Sequence, residues 1–294
     1  RSGLLRSKSG EKSWLDEPPT RYALDEDGDH SDRPQNSVYH FLLPDDGMCN
    51  YQDKVVKQLA SEEMQTIKNW RKSFLKSFEK HEVEILERLS KQIDKLWQKH
   101  VRDQRGVREK CRDYFRLYGQ PVDGDKEPEG NTLTTQEKDD LYNRTVLAKD
   151  VRNSSAFRRL KLVMDYWCAL WFWPIEKSHM LPTQQEYLLE LQAILEGDVY
   201  DVRYYDENNQ AMLDLDGIAK QPELPHGSDE YGFVNVDELC RQYDRLALVQ
   251  QIAEKYHFHH WELVFADLFA DRGGFDLVVG NPPWIKVTWK KEDI

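Results

Sequence analysis

The sequence predicts an α/β chain: a large, mainly helical region followed by a short strand of the kind buried inside a parallel sheet. Apolar residues recur at three-, four- and seven-residue steps from about Ser61 onward, which is helical periodicity. Near the other end, Phe275-Asp-Leu-Val-Val279 is a short apolar run, as expected of a strand covered on both faces. That run leads directly into Gly280-Asn281-Pro282-Pro283-Trp284.

In chain order, residues 1–60 read as a polar, extended lead-in with one short strand. Asp25, Glu26, Asp27, Asp29 and Asp32 crowd its first part. Ser37 to Leu43 alternates enough for a strand, and Pro44-Asp-Asp-Gly47 is a turn by composition. Residues 61–118 read as a long helical region. Ser61 is the expected N-cap, and Glu62 and Glu63 suit the positive end of a helix dipole. Ile67, Trp70, Phe74, Phe78, Ile85, Leu89, Ile93 and Leu96 mark the apolar stripe of one long helix or a helical pair. A second helix is expected over Val107 to Tyr118.

Residues 119–256 read as a mixed, mainly helical insertion. Gln120 to Asn131, with two Pro and two Gly among acids, is a linker. Helices are expected over Thr135 to Ala148, over Phe157 to Phe172 with Trp173-Pro174 ending it, and from Thr183 to a Gly197 C-cap. Gly197 to Ser228 is turn-rich, and Val236 to Tyr256 is helical again. Residues 257–294 hold His260 to Phe265, read as a strand or its approach, then an Asp271-Arg-Gly-Gly274 turn, then the apolar run and its motif.

A net charge of −12 argues against a protein that coats nucleic acid with its whole surface, but not against a local basic groove. The long helical region is such a locality: residues 61–116 carry fifteen Lys/Arg against ten Asp/Glu. Lys68, Arg71, Lys72, Lys76 and Lys80 are its candidate phosphate contacts, although mixed charge is also the ordinary state of a solvated helix. Cys49, Cys111, Cys168 and Cys240 lie far apart with no zinc-ligand spacing, and read as reduced thiols of a cytoplasmic protein. His257, His259 and His260 lack the partner ligands a metal site needs and read as packing or surface residues, so no metal is expected. The longest apolar stretch, Trp167 to Pro174, is too short for a membrane span, and its tryptophans continue a helical core stripe.

Gly280 to Trp284 carries the chemistry. Ligands of open α/β sheets sit beyond the carboxyl ends of strands. The exocyclic amine of adenine is a poor nucleophile because its lone pair is delocalised into the ring. The Asn281 side-chain oxygen and the Pro282 main-chain carbonyl can accept both amine hydrogens, favouring a pyramidal nitrogen open to attack on a methyl sulfonium. Pro282 and Pro283 stiffen that backbone. Trp284 offers a face on which an extruded base can stack, worth ~1–3 kcal/mol. Extrusion is needed because the amine cannot be reached for in-line transfer inside the duplex.

These residues resemble a known family. An N-P-P-aromatic tetrapeptide at the end of an F-D-L-V-V-G strand is similar to the catalytic motif of class I, S-adenosylmethionine-dependent adenine-N6 DNA methyltransferases. The stretch from Trp261 to Trp284 looks like the large methylases of type IIG restriction–modification enzymes and of BREX and DISARM phage-defence systems. The resemblance implies part of a Rossmann-like methyltransferase domain with a large helical insertion or adjoining domain. It also implies S-adenosylmethionine as cofactor, and as partners double-stranded DNA with a flipped adenine and other defence-system subunits. Asn281, Pro282, Pro283 and Trp284 take the catalytic positions. Ala266-Asp267-Leu268-Phe269 matches a segment whose acid binds the cofactor's adenine amine, which makes Asp267 and Leu268 the candidate cofactor contacts. Cytosine-N4 and protein-glutamine methylases share related motifs, but the former more often use Ser-Pro-Pro and the latter lack this long insertion. A non-catalytic DNA-binding or scaffold subunit that keeps a methylase-like strand is the alternative from another class. The family's Asp-Pro-x-x-G-x-G cofactor turn does not occur in the 294 residues. The chain is therefore expected to be an excerpt or a set of joined pieces, inactive by itself.

Overall fold

A computed structural model describes residues 2–4, 37–113, 133–142, 156–197 and 234–281. Two short strands, β1 (Ser2–Leu4) and β2 (Ser37–Tyr39), pair antiparallel with Ser2 opposite Tyr39. A single 3-10 turn, His40–Leu42, follows. The helices are α1 (Lys54–Leu59), α2 (Ser61–Phe74), α3 (Lys80–Lys110), α4 (Thr135–Tyr142), α5 (Ala156–Ala169) and α6 (Gln184–Glu196). They continue with α7 (Val236–Gln242), α8 (Asp244–Tyr256), α9 (Trp261–Val264) and α10 (Ala266–Arg272). A second 3-10 turn, Ile175–Met180, joins α5 to α6.

The long helix α3 organises the rest. Its 31 residues span roughly 46 Å. Leu86, Leu89, Ile93 and Val101 are completely buried on one face. Helices α5, α6 and α10 pack against α3, and α8 packs against α5. From α5, α6 and α8, the fully buried Leu160, Val163, Leu191, Ile194, Leu246 and Val249 complete the core. Several large aromatics are amphipathic members of that core and direct a polar end at a carbonyl. Trp70 Nε1 donates to Pro182 O at 2.6 Å, Trp167 Nε1 to Leu43 O at 2.9 Å, and Tyr187 Oη to Phe41 O at 3.0 Å. Tyr39 fastens β2 to α3 by donating its hydroxyl to Asp94 Oδ1 at 2.6 Å.

Local sequence fixes several ends as expected. Thr183 and Glu186 form a capping box that starts α6, and Gly197 ends it at φ 73°. The region from Ser61 is a helical pair. The break falls where Gln184 Nε2 takes up the carbonyls of Phe74 and Lys76, and a Glu79–Glu82 capping box starts α3. Ser61 is not the N-cap: α1, capped by Asp53, precedes it, and Ala60 holds that place. The helix expected over 236–256 breaks at Tyr243, whose backbone is extended. Arg245 then reaches Met180 O at 2.6 Å and the Glu190 carboxylate.

Two strand expectations are overturned. Residues 260–265 form the turn into α9 and α9 itself, because the Leu263 and Val264 amides return to His260 O, and the Phe265 amide to Trp261 O. Residues 275–279 are in no strand, and Leu277, Val278 and Val279 are exposed. A strand of a parallel sheet needs a neighbour to take its backbone bonds. Among the described residues the only sheet is the β1–β2 pair, so no such neighbour is present. The parallel sheet implied by the α/β expectation is likewise absent among the described residues. The linker at 120–131, most of the turn-rich 197–228 stretch and the ends of two expected helices, 114–118 and 143–148, lie outside them. Among the described residues no helix is long and apolar enough to cross a membrane. All four cysteines are free thiols.

Two substitutions test this packing. Leu89→Ala is expected to cost about 2–5 kcal/mol in urea unfolding, the range for a buried leucine. Gly197→Ala places a Cβ 2.4 Å from Val234 Cγ2 at a positive φ, and is expected to cost more than about 1 kcal/mol in the same measurement.

Candidate active site

Asn281 is the last described residue, and Pro282, Pro283 and Trp284 lie outside the described residues. The approach to Asn281 begins at α9–α10, which joins the core through buried Leu263, Ala266 and Ala270 and is fastened to the far end of α3 by polar side chains. His100 Nε2 meets Leu263 O at 2.7 Å. Gln104 Nε2 donates to Val264 O at 2.8 Å, while its Oε1 accepts from the Asp267 amide at 3.1 Å. These contacts satisfy the carbonyl ends of α9 and the second amide of α10, groups that a helix cannot satisfy internally. Burial pushes the His100 imidazole below its ordinary pKa, so the ring is neutral near pH 7. Facing a carbonyl, Nε2 carries the hydrogen.

Further along, Arg105 and Arg108 grip the acids of α10. Arg105 Nε donates to Asp271 Oδ1 at 2.8 Å, and Arg108 Nη2 donates to Asp271 Oδ2. Arg108 Nη1 lies 3.2 Å from Asp267 Oδ2. Burial raises the Asp271 carboxyl, but hydrogen bonds from Arg108 and Arg105 outweigh it and hold the group below the usual aspartate value. On the other side, His260 Nε2 meets the buried Asp165 Oδ1 at 2.8 Å, which ties the start of α9 to α5.

Beyond α10 the chain turns at Gly273 (φ 73°) and Gly274 (φ 145°). Phe275 then sits edge-on to Trp261, Phe265 and Phe269, with ring centroids 5.8, 5.1 and 5.7 Å away. This aromatic knot anchors the root of the segment, from which residues 276–281 run exposed to Asn281.

Residues 174–293 match the family model of the Eco57I restriction-modification methylase. The methylase match covers less than half of the chain, runs from the Ile175–Met180 turn past Asn281, and takes in the Asn281 to Trp284 motif. It supports a restriction-modification methylase family, and with it a methyltransferase fold and methylation of DNA. No curated protein and no solved structure matches the chain. Helices α3 and α5, which hold α9 and α10 in place, lie outside the methylase match.

The predicted site residues are not all brought together. Asp267 is buried in the first turn of α10, not at a strand end. Its Oδ1 accepts from the Leu268 amide at 2.8 Å while Oδ2 faces Arg108. Each Asp267 carboxylate oxygen thus has one partner, which leaves lone pairs open to a further donor. Lys68, Lys72, Lys76 and Lys80 are exposed on α2, its C-terminal connection and the start of α3. Arg71 is instead occupied, donating to Asn50 Oδ1 at 3.3 Å and to the Asp46 carbonyl. Reading the sequence missed His100, Gln104, Arg105 and Arg108. The available signal was the buried stripe of α3, which turns polar at His100 without leaving its face.

Removing the shared acid of the clasp should loosen α10. Asp271→Asn is expected to lower the melting temperature and speed amide exchange over 261–272 at pH 7. A carboxyl held low in the fold stabilises above its unfolded pKa and loses that contribution as pH falls through the folded pKa. The gap between variant and parent should therefore close as pH drops below the ordinary aspartate range.

Proposed function

We propose that the chain is part of an enzyme that transfers the methyl group of S-adenosylmethionine to adenine N6 in DNA, in restriction–modification or phage defence. The observation that carries this is the Asn281-Pro-Pro-Trp284 motif lying inside the segment that matches the restriction-modification methylase. Asn281 Oδ1 and the Pro282 carbonyl accept the two amine hydrogens of a flipped adenine, and Trp284 stacks on its ring. Pro283 keeps the Pro282 carbonyl in place. Lys68, Lys72, Lys76 and Lys80 are open to duplex phosphate.

The donor site is not complete in these residues, since the Asp-Pro-x-x-G-x-G turn does not occur. We assign that turn to sequence outside the 294 residues. Absence of that turn from the 294 residues also favours a second reading, a non-catalytic DNA-binding or scaffold subunit.

Labelled methyl transfer to duplex DNA, with digestion to separate N6-methyladenine from N4-methylcytosine, tests the proposal. Residues 1–294 alone should give no product. A polypeptide that also carries the cofactor turn should give N6-methyladenine, and Asn281→Ala there should lower kcat by about 10²-fold or more while cofactor binding persists. No transfer by that polypeptide would establish the scaffold reading. Full activity of Asn281→Ala would remove the role given to Asn281.

A further inference from the structure

We infer that the outward face of α3 is a docking surface for the phosphate backbone of duplex DNA, formed by Arg88, Lys91, Lys95, Lys99 and Arg102. Every exposed position of α3 from Arg88 to Arg102 is a lysine or arginine. At 3.6 residues per turn the five fall in one sector, opposite the buried row of Leu86, Leu89, Ile93 and Val101. Their Cα positions advance along roughly 21 Å of one helix axis. Arg88 pairs with Glu196 at 2.9 Å, whereas the side chains of Lys91, Lys95, Lys99 and Arg102 make no ion pair among the described residues.

An ordinary solvated helix alternates the signs of its exposed charges. The exposed face of α2 is mixed in this way: Glu62, Gln65, Thr66, Lys68, Asn69 and Lys72 share it. On α3 exposed Glu84 and Asp103 bound the row and half-buried Glu87 and Asp94 flank it, but between Arg88 and Arg102 no exposed acid interrupts the like charges, which repel one another unless an anion lies along them. That it persists in a chain of net charge −12 marks a local site rather than a basic protein. Duplex DNA presents one negative charge per ~1.7 Å of its axis, so a straight cationic row some 21 Å long meets several phosphates at once. Lysine ammonium groups act there as point charges without reading bases. The same helix holds α9 and α10 through His100, Gln104, Arg105 and Arg108. A duplex gripped on its outer face is thereby set in fixed relation to the segment leading to Asn281.

The choice of duplex DNA as the anion rests on the methylase reading, while the cationic row itself does not. Anisotropy of a labelled duplex with residues 1–294, titrated between about 50 and 200 mM salt, tests it. The K91Q/K95Q/K99Q/R102Q variant, whose fold is checked by circular dichroism and melting temperature, should bind at least ten-fold more weakly. Its slope of log K against log salt should be shallower by about 3 to 4. Neutralising Lys68, Lys72, Lys76 and Lys80 instead should change the slope less. An unchanged slope in the α3 variant, a larger loss in the α2 set, no duplex binding by the parent, or preference for single-stranded RNA each overturns the assignment. Methyl transfer is scored separately, on the polypeptide that also carries the cofactor turn. A lost slope without transfer leaves the DNA surface standing and removes the methylase reading; intact transfer with an unchanged slope does the reverse.

Discussion

A 31-residue helix cannot bury its apolar stripe alone, and the burial of that stripe on α3 is the constraint that the other elements satisfy. Helices α5 and α6 cover its middle, and β2 is fastened to it through Tyr39. Helices α5, α6 and α8 are joined in turn by a polar network inside the core. The Tyr166 hydroxyl donates to Glu190, and Arg245 reaches Glu190, Glu186 and the Met180 carbonyl. Burial pushes the Glu190 carboxyl up, and bonds from Tyr166 and Arg245 only partly offset that. A buried acid of this kind is tolerable because its donors are fixed by the helices it joins.

Along α3 the means of attachment changes. Before His100 the helix holds its neighbours mainly by apolar contact, with Arg88 and Asp94 adding polar ties; from His100 to Arg108 hydrogen bonds and ion pairs predominate. The change coincides with the start of the segment that carries the methylase motif. Apolar contact is indifferent to small slides, whereas paired donors and acceptors fix register. The clasp therefore sets the direction in which α10 delivers the chain toward Asn281.

The helices were legible in the sequence wherever amphipathic period and end signals agreed, as in Thr183 to Gly197. Breaks at Tyr243 and at 75–79 were not, because they are imposed by Arg245 and Gln184 reaching distant carbonyls. The apolar run at 275–279 was read as a buried strand from composition alone. Composition reports what a segment can become when neighbours are supplied, not whether they are. The motif at Asn281 stands out in the sequence because its residue types are rare in combination, and the segment matching the methylase family contains it. The clasp was not, since His, Gln and Arg on a helix look like any solvated surface until the facing element is in place.

Leu277, Val278 and Val279 stand in water, with about three-quarters of their surface or more uncovered. Three consecutive apolar residues of this type, two of them β-branched, favour the extended state and leave backbone donors and acceptors without partners. In a concentrated preparation that stretch is a ready template for another copy of itself. Colloidal behaviour would then be governed by a handful of residues next to Asn281, and not by the net charge of −12 that keeps copies of the molecule apart.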